Sequence, residues 1–256
     1  MPLRSKAPIS IASFKDTGQR HVWSATMSGG SGLGYIQKHI LYRLRLTWYR
    51  VTRPGSVTKG NPYRQIWVDP DTINSTLRPN SLKQEDYLAP LRNGRFCKYR
   101  AIGMVEDGDW DTHVRPYAPR KGLLFKALED RYHNRKPWQE TEFYASVVEK
   151  VEKGLRPWND CRNHDDILNR CERADRLIES IKRDGFKENA HPVVICIGRQ
   201  GELMKSGNGQ HRIMLGLMTG SKIPVLPIVR HKIWEDIRTG KSKDRSMYEG
   251  HPDLAP

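Results

Sequence analysis

PVVICIGRQGELMKSGNGQHRIMLGLMTGSKIPVLPIVR spans Pro192 to Arg230, and its reading decides the fold. Val193 to Ile197 is a run of β-branched and apolar residues, the pattern of a buried strand. Arg199 to Glu202 reads as a tight turn and Leu203-Met204 as a short return strand. Ser206-Gly207-Asn208-Gly209 is a corner where positive φ costs little. Gln210 to Met218 predicts a short helix stopped by Gly220. Ile223 to Val229 predicts a further strand, with Pro224 and Pro227 pushing it toward a sheet edge. A strand, a glycine corner and a helix start carrying His211 and Arg212 can cradle an anion. Free helix N–H groups and the positive end of the dipole face it, and Arg212 adds a charge-assisted contact. The plain structural alternative is an ordinary corner with a surface arginine.

Working outward, Asp165 to Arg183 is the clearest helix, with Ile167, Cys171, Ala174, Ile178 and Ile181 on one stripe. Asp165 or Asp166 is expected to cap it and Gly185 to stop it. Helices are also predicted over 122–131, over 142–153 with Glu140 and Thr141 as its cap, and over 231–238. Gln65 to Val68 reads as a short strand closed by Asp69-Pro70-Asp71, and Phe96 to Val105 as a weaker one. Glu106 to Asp111 is the densest carboxylate cluster. Thr112 and Ala118 stand where an EF-hand needs glycine and glutamate, so that motif is excluded. The remaining readings are Mg²⁺ ligands, a general base, or a solvated turn with Trp110 in the core; pattern alone favours the last.

Gly207-Asn208-Gly209-Gln210-His211-Arg212 resembles the Gly-x-His-Arg or Gly-x-Arg-Arg signature of the ParB/sulfiredoxin-like superfamily. The resemblance runs from about Asp165 to His231, through Asp184-Gly185-Phe186 and Ile223-Pro224-Val225; Val68-Asp69-Pro70 is similar to the opening strand of those domains. It implies an α+β fold, a mixed sheet with flanking helices preceded by a basic helical arm, and nucleotide phosphates bound at the helix start. The implied phosphate ligands are Arg199, Gly207, Asn208, Gly209, Gln210, His211 and Arg212. Asp69, Asp109 and Asp111 are the implied metal-holding carboxylates, and Asp109, Asp111 and His211 the candidate catalytic groups, with Mg²⁺ and a nucleoside triphosphate as cofactors.

The departures from that family narrow the reading. Gln210 occupies the place of the sulfiredoxin catalytic cysteine, and an amide is no nucleophile, so that activity is excluded. The segment after Arg230 is too short for the helix-turn-helix domain of chromosome-partition proteins. The ParB-like free-serine kinases, with Asp-Gly-His-His-Arg, are the nearest enzymatic analogue. Three readings stay open: an NTP-dependent phosphotransferase or nucleotide hydrolase, a nucleic-acid-binding protein with nuclease chemistry that uses a basic arm, and a non-catalytic nucleotide-gated module. No Walker A motif competes, since Glu235 stands where its first glycine belongs.

The net charge of +15 in 256 residues is concentrated near the N-terminus. Residues 1–60 hold ten Lys/Arg and the single acid Asp16. Met1 to Gly34 reads as a linker. Tyr35 to Val51 predicts a helix whose stripe, Ile36, Ile40, Leu44 and Trp48, is expected to pack on the main domain. Lys38, Arg43, Arg45 and Arg50 lie mostly off that stripe and suit DNA or RNA phosphates or an anionic membrane surface. The chain thus divides into a linker (1–34), a basic arm (35–60), a main domain (61–238) with a helical insertion near 112–164, and a loose tail (239–256). Cys97, Cys161, Cys171 and Cys196 form no C-x-x-C pair, which argues against a zinc site or disulfide scaffold and fits a reduced, cytoplasmic protein. No apolar run approaches a membrane span, and no signal peptide is expected.

Overall fold

A computed structural model describes residues 43–77, 102–188, 192–206 and 209–255. Expectations that fall on 1–42, 78–101, Gly207 and Asn208, including Lys38, Cys97 and the linker, lie outside the described residues. The described part is a mixed seven-stranded sheet with helices packed on it.

The sheet is built around β5 (Val193–Ile197) and β7 (Ile223–His231), which run parallel. Both are nearly continuous apolar runs, β7 buried throughout and β5 except at the half-buried Val194, as strands covered on both faces must be. β6 (Leu203–Lys205) returns antiparallel on the free edge of β5. β2 (Ser75–Leu77) and β4 (Val114–Pro116) extend that side. On the far edge of β7, β1 (Ile66–Val68) pairs with residues 223–225 and β3 (Met104–Glu106) with residues 229–231.

β7 is therefore an interior strand, not the edge strand its prolines suggest. Proline removes a ladder donor. Pro227 sits where the β5–β7 register shifts beside Ile195, and Pro224 faces Trp67 of the three-residue strand β1. The irregularity absorbs one missing donor, and the apolar content of Ile223 to Val229 outweighs the other.

Seven helices are described: α1 (43–52), α2 (Leu123–Asn134), α3 (Glu142–Glu152), the single turn α4 (Pro157–Asp160), α5 (His164–Asp184), α6 (Gln210–Thr219) and α7 (Lys232–Arg238). The predicted inward stripe of α5 is buried as expected, and Gly185 ends the helix. Its cap is Asn163, whose side chain accepts from the Asp166 N–H, so Asp165 and Asp166 instead occupy the first turn, where the dipole favours acids. Thr141 caps α3 by accepting from the Tyr144 N–H. α6 crosses between β6 and β7 and ends at Gly220 in the left-handed region.

Two expectations about the ends are corrected. On α1, Leu44 and Trp48 point outward, and Leu46, off the predicted stripe, is the residue buried with Val57, Ile102 and Trp110. Residues 239–255 are not a loose tail. Asp253 is 1% exposed and accepts from Arg230 Nε at 2.8 Å and Trp234 Nε1 at 2.9 Å, which fastens this segment to the core. Among the described residues, no helix is long and apolar enough to cross a membrane. Cys161, Cys171 and Cys196 are buried and free.

Candidate anion-binding site

The hairpin β5–β6 and the helix α6 that follows it make the corner. Gly209 caps α6 with φ 110° and no side-chain cap. A Cβ there would lie 2.9 Å from the Val193 Cα, so only glycine lets the turn press against the start of β5. The first intrahelical bond runs from the Ile213 N–H to the Gly209 carbonyl. The amides that open the ten-residue α6, Gln210 to Arg212, therefore have no partner within the helix.

Charge gathers at this opening. His211 is largely enclosed, and Trp158 Nε1–H points at its Nε2 at 3.4 Å. Burial, followed by the fields of Arg170 and Arg212, pushes the imidazole down to about 4, so it is neutral at pH 7. Arg170 stands on α5 and Arg212 on α6, with the imidazole within reach of both charges. Arg212 is itself lowered by burial alone, and no carboxylate among the described residues pairs with it. Beside the corner opens a cavity of about 460 Å³, walled by Tyr117, Phe143, Lys150, Trp158, Gln210 and Met214 among others. Its lining carries one charge, Lys150, and no carboxylate. Tyr117 Oη is buried without a partner and its ring lies 5.5 Å from Lys205 Nζ; burial pushes the phenol up.

The other candidate residues lie elsewhere. Arg199 follows the far end of β5. Its guanidinium donates to Asp111 at 2.7–3.1 Å, to Asp109 at 2.8 Å and to the Gly108 carbonyl at 3.0 Å, and its backbone N–H donates to Asp111 at 2.8 Å. Burial works to raise the Asp111 carboxyl, but the hydrogen bonds from Arg199 hold it below its ordinary value. Five residue steps of strand, roughly 16 Å, separate Gly198 from Val193. The structure thus does not bring Arg199, Asp109 and Asp111 to the corner with Gly209, Gln210, His211 and Arg212. Asp69 is at a third place. It caps the short turn Pro70–Thr72, accepting from the Asp71 N–H, and this turn packs near Gly216 in the middle of α6. Among the described residues no group of three or more His, Cys, Asp or Glu is arranged to hold a metal. Trp110, as expected for a structural turn, is buried beside the acidic cluster.

Arg170, Trp158 and Tyr117 escaped the sequence reading. Arg170 sits within an evenly charged helix, Trp158 in an irregular stretch and Tyr117 beyond a three-residue strand. Only the Pro157 that opens α4 marks one of them.

No family model, curated protein or solved structure matches this chain.

Proposed function

We propose that the chain binds the phosphate of a nucleotide at the start of α6, in the manner of a ParB/sulfiredoxin-like domain. The observation that carries this reading is Arg212: a half-buried cation at a helix N-terminus, with no acidic partner among the described residues. A half-buried cation without a partner is a cost to the fold. A phosphate would offset that cost while also accepting from the amides of α6. The adjoining aromatic cavity is of the size and apolar character that takes a nucleoside.

His211 would act as a binding group. With Nε2 facing the Trp158 N–H, the neutral ring keeps its proton on Nδ1, a donor for a phosphate oxygen. An imidazole held down to about 4 is a weak base, which supports holding an anion over moving a proton. Mg²⁺ does not fit the residues present: Asp109 and Asp111 are engaged by Arg199, and Asp69 caps a turn. No step through a metal is derived, and the nucleotide-gated module is the favoured form of this reading.

The test is thermal unfolding of the full chain with inorganic phosphate, ADP and ATP, each with and without Mg²⁺. Ligand at a hundredfold its Kd should stabilise the wild type by about 2.7 kcal/mol and leave Arg212→Met unmoved. The absence of any shift with all three ligands overturns the proposal. ATP turnover that requires Mg²⁺ and is lost in Asp111→Asn would restore the phosphotransferase or hydrolase reading.

A further inference from the structure

The face of α1 that its sequence was expected to bury is open. Leu44, Trp48 and Val51 are 60%, 65% and 76% exposed. They stand at i, i+4 and i+7, so they form one apolar stripe along the helix. The opposite side of the same helix is satisfied: Leu46 is buried, and Tyr49 packs beside it in the second core cluster. The stripe is therefore not left over from a misplaced helix. α1 is seated on the domain by one face and presents the other.

What flanks the stripe indicates what covers it. Arg45 lies along one side and Arg43 and Arg50 along the other, as a helical projection of these positions requires. None of the three forms an ion pair among the described residues. Arg45 donates to Tyr49 Oη at 2.7 Å and 2.9 Å, Arg50 to the Gly60 carbonyl at 3.1 Å, and Arg43 stacks 5.9 Å from the Tyr63 ring. Glu106 feels Arg53 of the same segment; burial, opposed by Arg53, pushes its carboxyl up to about 7. No acid occurs in the sequence between Asp16 and Asp69. The occupant must thus be apolar where it meets Leu44, Trp48 and Val51, and anionic on both sides of them.

We infer that α1 lies in the headgroup layer of an anionic lipid bilayer, with Leu44, Trp48 and Val51 in the acyl boundary and Arg43, Arg45 and Arg50 on lipid phosphates. An anionic interface supplies both chemistries at the required depth: the arginine stems run alongside the apolar stripe, and their heads exchange Tyr49, the Gly60 carbonyl and the Tyr63 ring for lipid phosphates. Tryptophan suits the interface because its ring is apolar and its N–H is not. Nucleic-acid phosphates would engage the arginines but leave the aliphatic Leu44 and Val51 without a partner. The surface is separate from the corner at α6, so either can fail without the other.

The test is co-sedimentation of the full chain with vesicles of phosphatidylcholine alone and of phosphatidylcholine mixed with phosphatidylglycerol. The expected result is binding to the mixed vesicles only. It should weaken about tenfold or more in Leu44→Ser/Trp48→Ser and comparably in Arg43→Gln/Arg45→Gln/Arg50→Gln. All five positions are at or near the surface, and unchanged thermal unfolding of each variant confirms that the fold is intact. Failure to bind mixed vesicles overturns the inference. So does binding that only the arginine variant loses and that duplex DNA competes away, which marks a general polyanion surface.

Discussion

Arg199 and Arg212 stand at opposite ends of one hairpin and its following helix, and their surroundings are opposites. Arg199 meets two carboxylates and a carbonyl, and Asp111 beneath it also accepts the Arg199 backbone N–H. Among the described residues Arg212 meets none of these, although it too is half-buried. A guanidinium with its partners in place joins segments of chain. One buried without them is a cost to the fold that a bound anion can remove. The acidic loop from Asp107 to Asp111 thus belongs with the first arginine, as a strap across the β5–β6 turn, and the site belongs with the second.

The largest expected effect tests the paired extreme. Arg230 and Asp253 are 4% and 1% exposed, and Asp253 also accepts from Trp234. Asp253→Ala should lower the free energy of unfolding by about 3–5 kcal/mol, read by urea denaturation, because it strands a buried cation. Next comes Asp111→Ala, expected to cost about 2–3 kcal/mol and to leave phosphate binding unchanged. If it abolished phosphate binding with the fold intact, the separation of the two ends would be wrong.

A third effect concerns His211. Its folded value, near 4, lies below the ordinary 6.5, so the unfolded chain takes up the proton first as pH falls. The stability it contributes is complete above about 6.5 and is lost between there and about 4. The slope is at most about 1.4 kcal/mol per pH unit. His211→Gln should flatten that stretch of the stability–pH curve, and saturating phosphate should flatten it too by favouring the imidazolium. The smallest effect is the most diagnostic. Arg212→Met should leave the ligand-free protein unchanged or more stable by up to about 1 kcal/mol, while the phosphate-induced shift disappears. A loss of several kcal/mol without ligand would mean that Arg212 has a structural partner.

The sequence was informative where the physics is local. Val193 to Ile197, the corner at Gly209, α6 with its Gly220 stop and the stripe of α5 all follow from periodicity and glycine chemistry within a few residues. It was misleading where partners are distant. Arg199 and Asp111 are 88 positions apart, and no spacing rule joins them. The two prolines of β7 are a sound local argument for an edge, overridden because a register shift beside Ile195 and a three-residue neighbour tolerate them. On α1, regular spacing of Leu44 and Trp48 indicated one apolar face correctly; that Leu46 rather than this face would meet the domain depends on Val57 and Ile102, which lie outside the helix. Arg170 and Trp158 reach His211 from α5 and α4, 41 and 53 positions away along the chain.

The Arg230–Asp253 pair also sets the order in which folding can be completed. Arg230 belongs to an interior strand, yet its counter-charge lies 23 residues further along the chain. A sheet whose strands have all paired still carries an unmatched guanidinium until the segment after α7 docks Asp253 on it. Docking of that segment, and not pairing of the last strand, should therefore time the acquisition of protease resistance.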